Sequence, residues 1–348
     1  MTSSAPTPCV IESEEQLLEV LTRPSPALVA EMAGWTGRLV VAGAAGKIGP
    51  SLCVMARRAG MAAGRPVEVV AASRFSDPAV RDWLEGQGVR TVRCDLLEPG
   101  AESLLPDAER VMSLLGLKFG TDRDPSLTWA VNALGTARLV ERYPRAQLVV
   151  LSTGNVYPRV PVADGGATED HGLTPIGEYA NAAVARERVV EHLARRQGTP
   201  ATLLRLSFAV ELRYGVLVDI ARRVWDGEPI ELANGWINWI WQGDGNDWML
   251  RAFPLAEVPP TVWNLTHPQA LSVRRIAGWF ADAFERPATF HGTEADDALL
   301  SNASRLAARF GEPATPVETV LSWIAEWVRR GGRQIGKPTH FEVRDGRY

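Results

Sequence analysis

The chain has 348 residues, is 46% hydrophobic and carries a net charge of −4, so it has the length and apolar content for a sizeable buried core. Its charges are interspersed, which leaves no basic face for nucleic acid and no basic amphipathic helix for a membrane surface, and no apolar run is long enough to span a bilayer. Three distant cysteines, Cys9, Cys53 and Cys94, fit neither a disulfide framework nor a zinc site, and "MTSSAPTPCVIESEEQ" lacks the pattern of a signal peptide, so a cytoplasmic protein acting on a small molecule is expected.

In chain order, "SEEQLLEVLTRPSPALVAEMAGW" predicts one or two short helices packed ahead of the main fold. "RLVVAG" (Arg38 to Gly43) is a strand, followed by a glycine-rich turn and the helix "PSLCVMARRAG". "VEVVAAS", "RTVRCDL", "RVMSLLG", "AQLVVLST" and "ATLLRLSFAV" are further strand-like runs, each set off by a helical or loop segment. This alternation predicts βαβ units and an α/β fold with a doubly wound parallel sheet. Residues 1–36 are expected to form a helical extension, 37–206 a dinucleotide-binding domain, 207–330 a smaller substrate-binding lobe interleaved with the sheet's closing strand and helix, and 331–348 a tail.

"GAAGKIG" places Gly43, Gly46 and Gly49, with Lys47 and Ile48 between the last two, directly after a strand and before a helix. There glycines let a pyrophosphate approach backbone N–H groups at a helix N-terminus. The second strand ends in Ser73 and Arg74, where an acidic residue would hold the ribose hydroxyls of NAD. A neutral donor and a cation suit a 2′-phosphate, and Lys47 is expected to add a second charge nearby, so NADP is favoured over NAD. Asp95, followed by Leu96, either hydrogen-bonds the adenine or makes a strand-end turn.

Together with "WAVNALGTARLVE", which carries Asn132, "LVVLSTGNVYP", "EYANAAVARERVVEHL", "LLRLSFAV", "WQGDGN" and "VWNLTHPQALSVRRIAGWFADAF", these motifs resemble an extended short-chain dehydrogenase/reductase of the NAD-dependent epimerase/dehydratase type over roughly residues 37 to 330. The resemblance implies a Rossmann-type domain in which Thr153 and Tyr179 serve catalysis, Leu115, Gly116 and Asn132 sit on the cofactor side, and Asn155 and Tyr157 face the substrate. One departure stands out. Four residues after Tyr179, on the same helix face, where the family carries a lysine, the chain has Ala183. A cation beside a phenol stabilises its anion, and forgoing a hundredfold in phenolate is worth about 2.7 kcal/mol. Only Lys47, Lys118 and Lys337 are lysines in the whole chain. Lys118, just beyond the fourth strand and therefore at the sheet's carboxyl edge, is the expected substitute; Arg186, two turns along the helix from Tyr179, is expected to reach phosphate or solvent.

On the substrate side, Glu211, Arg213 and Tyr214 follow the sixth strand at the same edge. "NGWINWIWQGDGN" brings tryptophans, Trp241 among them, next to Gln242, an arrangement suited to a sugar's C–H faces and hydroxyl edges as well as to plain core packing. The helix "PVETVLSWIAEWVRR" closes either the core or a homodimer contact. The expected activity is hydride transfer on a sugar, sugar acid or related polyhydroxylated molecule. Two alternatives remain open at this point: a nucleotide-binding sensor without turnover, and non-redox lyase chemistry in the same cleft.

Overall fold

The computed structural model describes residues 8–347 apart from Asp122 and Pro338. Seven strands, β1 (Arg38–Ala42), β2 (Glu68–Ser73), β3 (Arg90–Arg93), β4 (Arg110–Ser113), β5 (Gln147–Thr153), β6 (Ala201–Leu206) and β7 (Thr261–Leu265), form one sheet in the order β3-β2-β1-β4-β5-β6-β7. Every pairing is parallel. The strand order reverses between β1 and β4, whose registers end together at Ala42 and Ser113. A crevice at the carboxyl ends of the strands opens at such a reversal.

Alternate residues of each strand enter different cores, as a pleat with a period of two requires. Leu39 and Val41 pack with α2 (Pro26–Met32), α3 (Gly49–Ala62) and α9 (Gln242–Arg251), whereas Val40 and Ala42 pack on the other face with α6 (Gly135–Arg142) and α7 (Gly177–Gln197). The N-terminal segment forms α1 (Glu14–Leu21) and α2, each begun by a serine, Ser13 or Ser25, whose hydroxyl accepts a first-turn N–H.

Beyond β6, α8 (Val216–Asp226), α10 (Val273–Phe284) and α12 (Val317–Arg329) pack on one another around a separate apolar cluster. Val320, Leu321, Ile324, Trp327 and Val328 of α12 are buried in this cluster, so the stripe read from the sequence closes the core. Trp239 and Trp241 join it, and Trp248 enters the core beneath the sheet. "WQGDGN" forms the start of α9, where Asp244 accepts from the N–H and hydroxyl of Thr315. No described helix is long and apolar enough to cross a membrane.

Candidate active site

The turn from β1 to α3 is shaped by close approach. Gly43 has φ +78°, and a Cβ there would sit 2.9 Å from the backbone of Leu114, because the ends of β1 and β4 converge. A Cβ on Gly49 would lie 2.3 Å from the Ala44 carbonyl oxygen. Ile48, at the N-cap of α3, supplies no side-chain acceptor to the first turn of the helix, which leaves that end for an anion. On one side of the loop a cleft of about 220 Å³ runs over β2, lined by Ser73, Arg74, Asp95, Leu96 and Gly116. On the other a cleft of about 340 Å³ runs over β5 and β6. Gly43, Gly46, Leu115 and Gly116 border both. This donor set fits a dinucleotide laid across the glycine turn, with its adenosine over β2 and its reactive ring over β5.

The larger cleft is lined by Thr153 and Tyr179. Thr153 ends β5, and its hydroxyl donates to Asn155 Oδ1 at 3.0 Å while accepting the Asn155 N–H at 3.2 Å. The residue therefore caps the turn that follows and faces the cleft as well. Tyr179 lies in the first turn of α7 and is half-buried. Ala183, the position of the missing ammonium, is fully buried among Val156, Tyr157 and Val160, a site with no place for a charge.

One turn further along the helix stands a cation. Arg186 is 3% exposed, lines the same cleft, and its guanidinium is near enough to the Tyr179 phenol to be attracted by it. Seven residues amount to nearly two turns, so the two share a face, and Cβ vectors tilted toward the helix N-terminus send the long side chain back to the phenol. Its Nη1 donates to the Leu115 carbonyl at 2.6 Å and to Asn132 Oδ1 at 3.1 Å. Burial pushes the guanidinium pKa down, opposed by the Tyr179 phenol and by Glu187. The expectation that Arg186 reaches phosphate or solvent is thus corrected. Asn132 is corrected too: at 0% exposure it lies behind Arg186, donating to Thr128 O at 2.8 Å, and does not line either cleft.

Adjacent Glu187 points to the sheet. It accepts a hydrogen bond from Ser152 at the end of β5 and pairs with Arg205 of β6 through Nε at 3.0 Å and Nη2 at 2.7 Å, all buried. Arg205 Nη1 donates to the Tyr157 hydroxyl at 2.7 Å, which donates to Asn264 Oδ1 at 2.8 Å. The chain of bonds ties α7, β5, β6 and β7 together directly behind Thr153.

The sequence model of the NAD dependent epimerase/dehydratase family matches residues 39–265, the whole span from β1 to β7. The chain belongs to this family. Its members are enzymes, and the parallel sheet just described is their Rossmann-type fold. Comparison with curated proteins gives no sequence match. Among solved structures, UDP-glucose 4-epimerase from Thermus thermophilus in complex with NAD superposes with a TM-score of 0.68 at 21% identity, over 84% of this chain and 99% of that one. UDP-glucuronic acid 4-epimerase from Bacillus cereus, with UDP-glucuronic acid and NAD, gives 0.69 at 18% over 84% and 99%. A dTDP-glucose 4,6-dehydratase from Streptomyces venezuelae with NAD bound gives 0.69 at 18% over 84% and 97%.

In this epimerase/dehydratase-family chain the remaining predicted residues separate into two groups. Lys47, Lys118, Asn155, Tyr157 and Tyr214 line the larger cleft. Glu211, Arg213, Trp241 and Gln242 do not. Glu211 is fully buried and accepts from the Arg213 N–H and Nε, while Arg213 Nη1 reaches Glu14 of α1 at 2.9 Å, so the pair fastens the N-terminal helices. Trp241 packs on Trp323 with ring centroids 5.2 Å apart, and Gln242 donates to Ser51 Oγ at 2.9 Å; both are interior. Trp236 is the tryptophan that borders the cleft.

Lys47 also corrects its expectation. Its ammonium does not turn to Arg74 and the smaller cleft; it donates to the Ala209 carbonyl and lies 4.4 Å from the Tyr214 ring centroid, and burial pushes its pKa down to about 7. Lys118 lies 5.2 Å from the Phe208 ring centroid, its pKa pushed down to about 8 by burial against the pull of Asp219. Asp95 makes the strand-end turn, accepting from the Leu97 N–H at 3.0 Å at the rim of the smaller cleft. Sequence reasoning missed Arg159, Arg344 and the tail residues His340, Phe341, Val343 and Gly346, all of which line the larger cleft.

Proposed function

We propose that the chain is an NAD(P)-dependent oxidoreductase, epimerase or dehydratase of the extended short-chain type that acts at a hydroxyl or carbonyl carbon of a sugar-like molecule, with Tyr179 as its acid and base. The observation that carries this reading is the buried guanidinium of Arg186, attracted by the Tyr179 phenol, a cation supplied from another position than Ala183. When bound, the nicotinamide supplies hydride acceptance and donation. The chain's own residues supply the rest. Tyr179 takes a proton from the substrate hydroxyl or returns it to the carbonyl; Arg186 favours the phenolate; Thr153 orients the same substrate oxygen, its own hydroxyl fixed by Asn155. Lys118 belongs to the substrate wall of this site, because Arg186 already occupies the role expected of it beside the phenol.

The bound dinucleotides of the solved relatives are NAD. In this chain Ser73 and Arg74 at the smaller cleft favour NADP, with Arg74 exposed at its rim to meet a 2′-phosphate. The test is a panel of sugars and sugar acids with each dinucleotide, followed at the nicotinamide absorbance band. Turnover that vanishes in Tyr179→Phe while dinucleotide affinity stays unchanged is the expected result. Unchanged turnover in that variant removes the tyrosine from the chemistry, and Arg74→Ala leaving the NADP-to-NAD affinity ratio untouched refutes the cofactor preference.

A further inference from the structure

Residues 339–346, beyond the span matched by the family, run along the larger cleft and reach the start of α7. Thr339, fully buried, donates through its N–H (2.9 Å) and its hydroxyl (2.5 Å) to Asp219 Oδ2 of α8. Asn234 Nδ2 donates to the carbonyls of Phe341 at 2.8 Å and Val343 at 3.1 Å. Arg344 gathers three stretches of the substrate lobe. Its Nη1 donates to Ala233 O at 2.8 Å and to Asn234 Oδ1 at 3.1 Å, its Nη2 pairs with the Asp297 carboxylate, and its carbonyl accepts from Arg159. Asp297 and Arg159 belong to one short antiparallel pairing, in which Asp297–Ala298 runs beside Val160–Pro161, so Arg344 is fastened to both of its strands.

The contact with α7 is backbone on backbone. Gly177, the first residue of the helix, has φ +81° and Gly346 has φ +76°, both left-handed conformations that suit glycine. A Cβ on Gly346 would lie 2.3 Å from the Ile176 carbonyl oxygen, and one on Gly177 would lie 2.3 Å from the Gly346 carbonyl oxygen. Each glycine thus excludes a side chain at the other. Asp345 shapes the turn that presents Gly346, its Oδ1 accepting from the Arg347 N–H at 3.2 Å. Ile176, at the N-cap, supplies no side-chain acceptor to the first turn of α7, and its carbonyl, the group Gly346 rests on, is the one that closes that turn. Ile176, Tyr179 and Gly346 all border the cleft. Tyr179 is two residues beyond Gly177, so a displacement of the helix start is carried directly to the phenol. Misplacing a reacting group by about 1 Å costs up to about a hundredfold in rate.

We propose that residues 339–346 brace the first turn of α7, and that Arg344 is a positioning residue for the proton transfer. By fixing the segment to the substrate lobe it seats Gly346 on Ile176 and Gly177, and so sets the place of the Tyr179 phenol. The catalytic consequence rests on the oxidoreductase reading above; the brace itself does not. The test compares the full-length variants Arg344→Gln, Arg344→Lys and Gly346→Ala with the parent. Arg344→Gln removes the pairing with Asp297, and Gly346→Ala drives the segment off Ile176 through its added Cβ. Amide hydrogen exchange is followed at Ala180, Asn181 and Ala182, the first amides of α7 that bond back to the carbonyls of residues 176–178. Exchange there at least about fivefold faster in Arg344→Gln and in Gly346→Ala, with the amides of β1 and α3 unchanged, is expected. With the sugar or sugar acid turned over fastest, kcat is expected to fall at least about tenfold in both variants while dinucleotide affinity stays unchanged. Arg344→Lys, which keeps a charge for Asp297, is expected to recover part of the loss. A segment with a structural role alone would lower the melting temperature and leave the kcat of folded protein as it is. Unaltered exchange at Ala180–Ala182 in both variants overturns the proposal, and so does faster exchange with kcat unchanged. Faster exchange at these amides in a protein that transfers no hydride with any sugar upholds the brace and overturns the oxidoreductase reading; turnover lost in Tyr179→Phe but unmoved by Arg344→Gln and Gly346→Ala does the reverse.

Discussion

Replacing Arg186 by methionine keeps a long side chain on α7 and removes the guanidinium from the Tyr179 phenol. A charge-assisted contact contributes about 1.5–3 kcal/mol, which corresponds to roughly a 10- to 150-fold loss of kcat/KM. The Leu115 carbonyl and Asn132 Oδ1 also lose their donor, now at 2.6 and 3.1 Å, and each costs about 1–3 kcal/mol if it stays buried and unpaired, partly offset because a buried charge is removed as well. The assay is kcat/KM, measured with the substrate that reduces the dinucleotide fastest, alongside dinucleotide affinity, on protein whose fold is checked by thermal melting. The loss is expected in kcat/KM, with dinucleotide affinity unchanged. Arg186→Lys, which keeps the charge but not the planar fork, is expected to fall between the two. A methionine variant that remains folded and stays within threefold of the parent rate refutes the assignment of Arg186 as the cation that replaces the missing lysine.

Arg205→Met leaves Glu187 buried without its partner and is expected to destabilise the fold by about 3–5 kcal/mol in denaturant titration, whereas the double change with Glu187→Leu recovers most of the loss; a single variant as stable as the parent contradicts the pairing. Gly43→Ala forces a Cβ against Leu114 in a left-handed backbone conformation, and a loss of about 2 kcal/mol or more is expected, accompanied by weaker dinucleotide binding.

The sheet and its glycine turn were legible because their causes are local. Alternating apolar runs mark β1 to β6, and Gly43 and Gly49 stand where two chain ends or a helix start come too close for a side chain. The place of Thr153 and Tyr179 at the cleft was legible for the same reason, each sitting at the end of a readable element. Arg186 was not. Its spacing from Tyr179 is right for a shared face, but the direction in which a helical side chain leans decides whether it goes to the phenol or to solvent. Trp241 and Trp236 have nearly the same local sequence context, and only packing against α12 sends the first inward and leaves the second at the cleft. Lys47 was misplaced because a loop residue's side chain can leave by either side, and the sequence carries no sign that Ala209 and Tyr214 would receive it. The tail's position depends on Asp219, Asn234 and Asp297, residues distant in sequence whose individual meaning is invisible until the lobe is assembled.

Arg186 and Glu187 are consecutive on α7, yet one is engaged at the cleft with the Leu115 carbonyl and Asn132 and the other behind it with Arg205. Two oppositely charged pegs a single residue apart, driven into different surfaces, give the helix one azimuth: a turn of even a fraction of a residue would pull both from their sockets. The helix start two turns upstream, which carries Tyr179, is thereby held by its successors on the helix, so under the proposed mechanism a substitution at the Glu187 peg misdirects the phenol without touching any group that lines the cleft beside it.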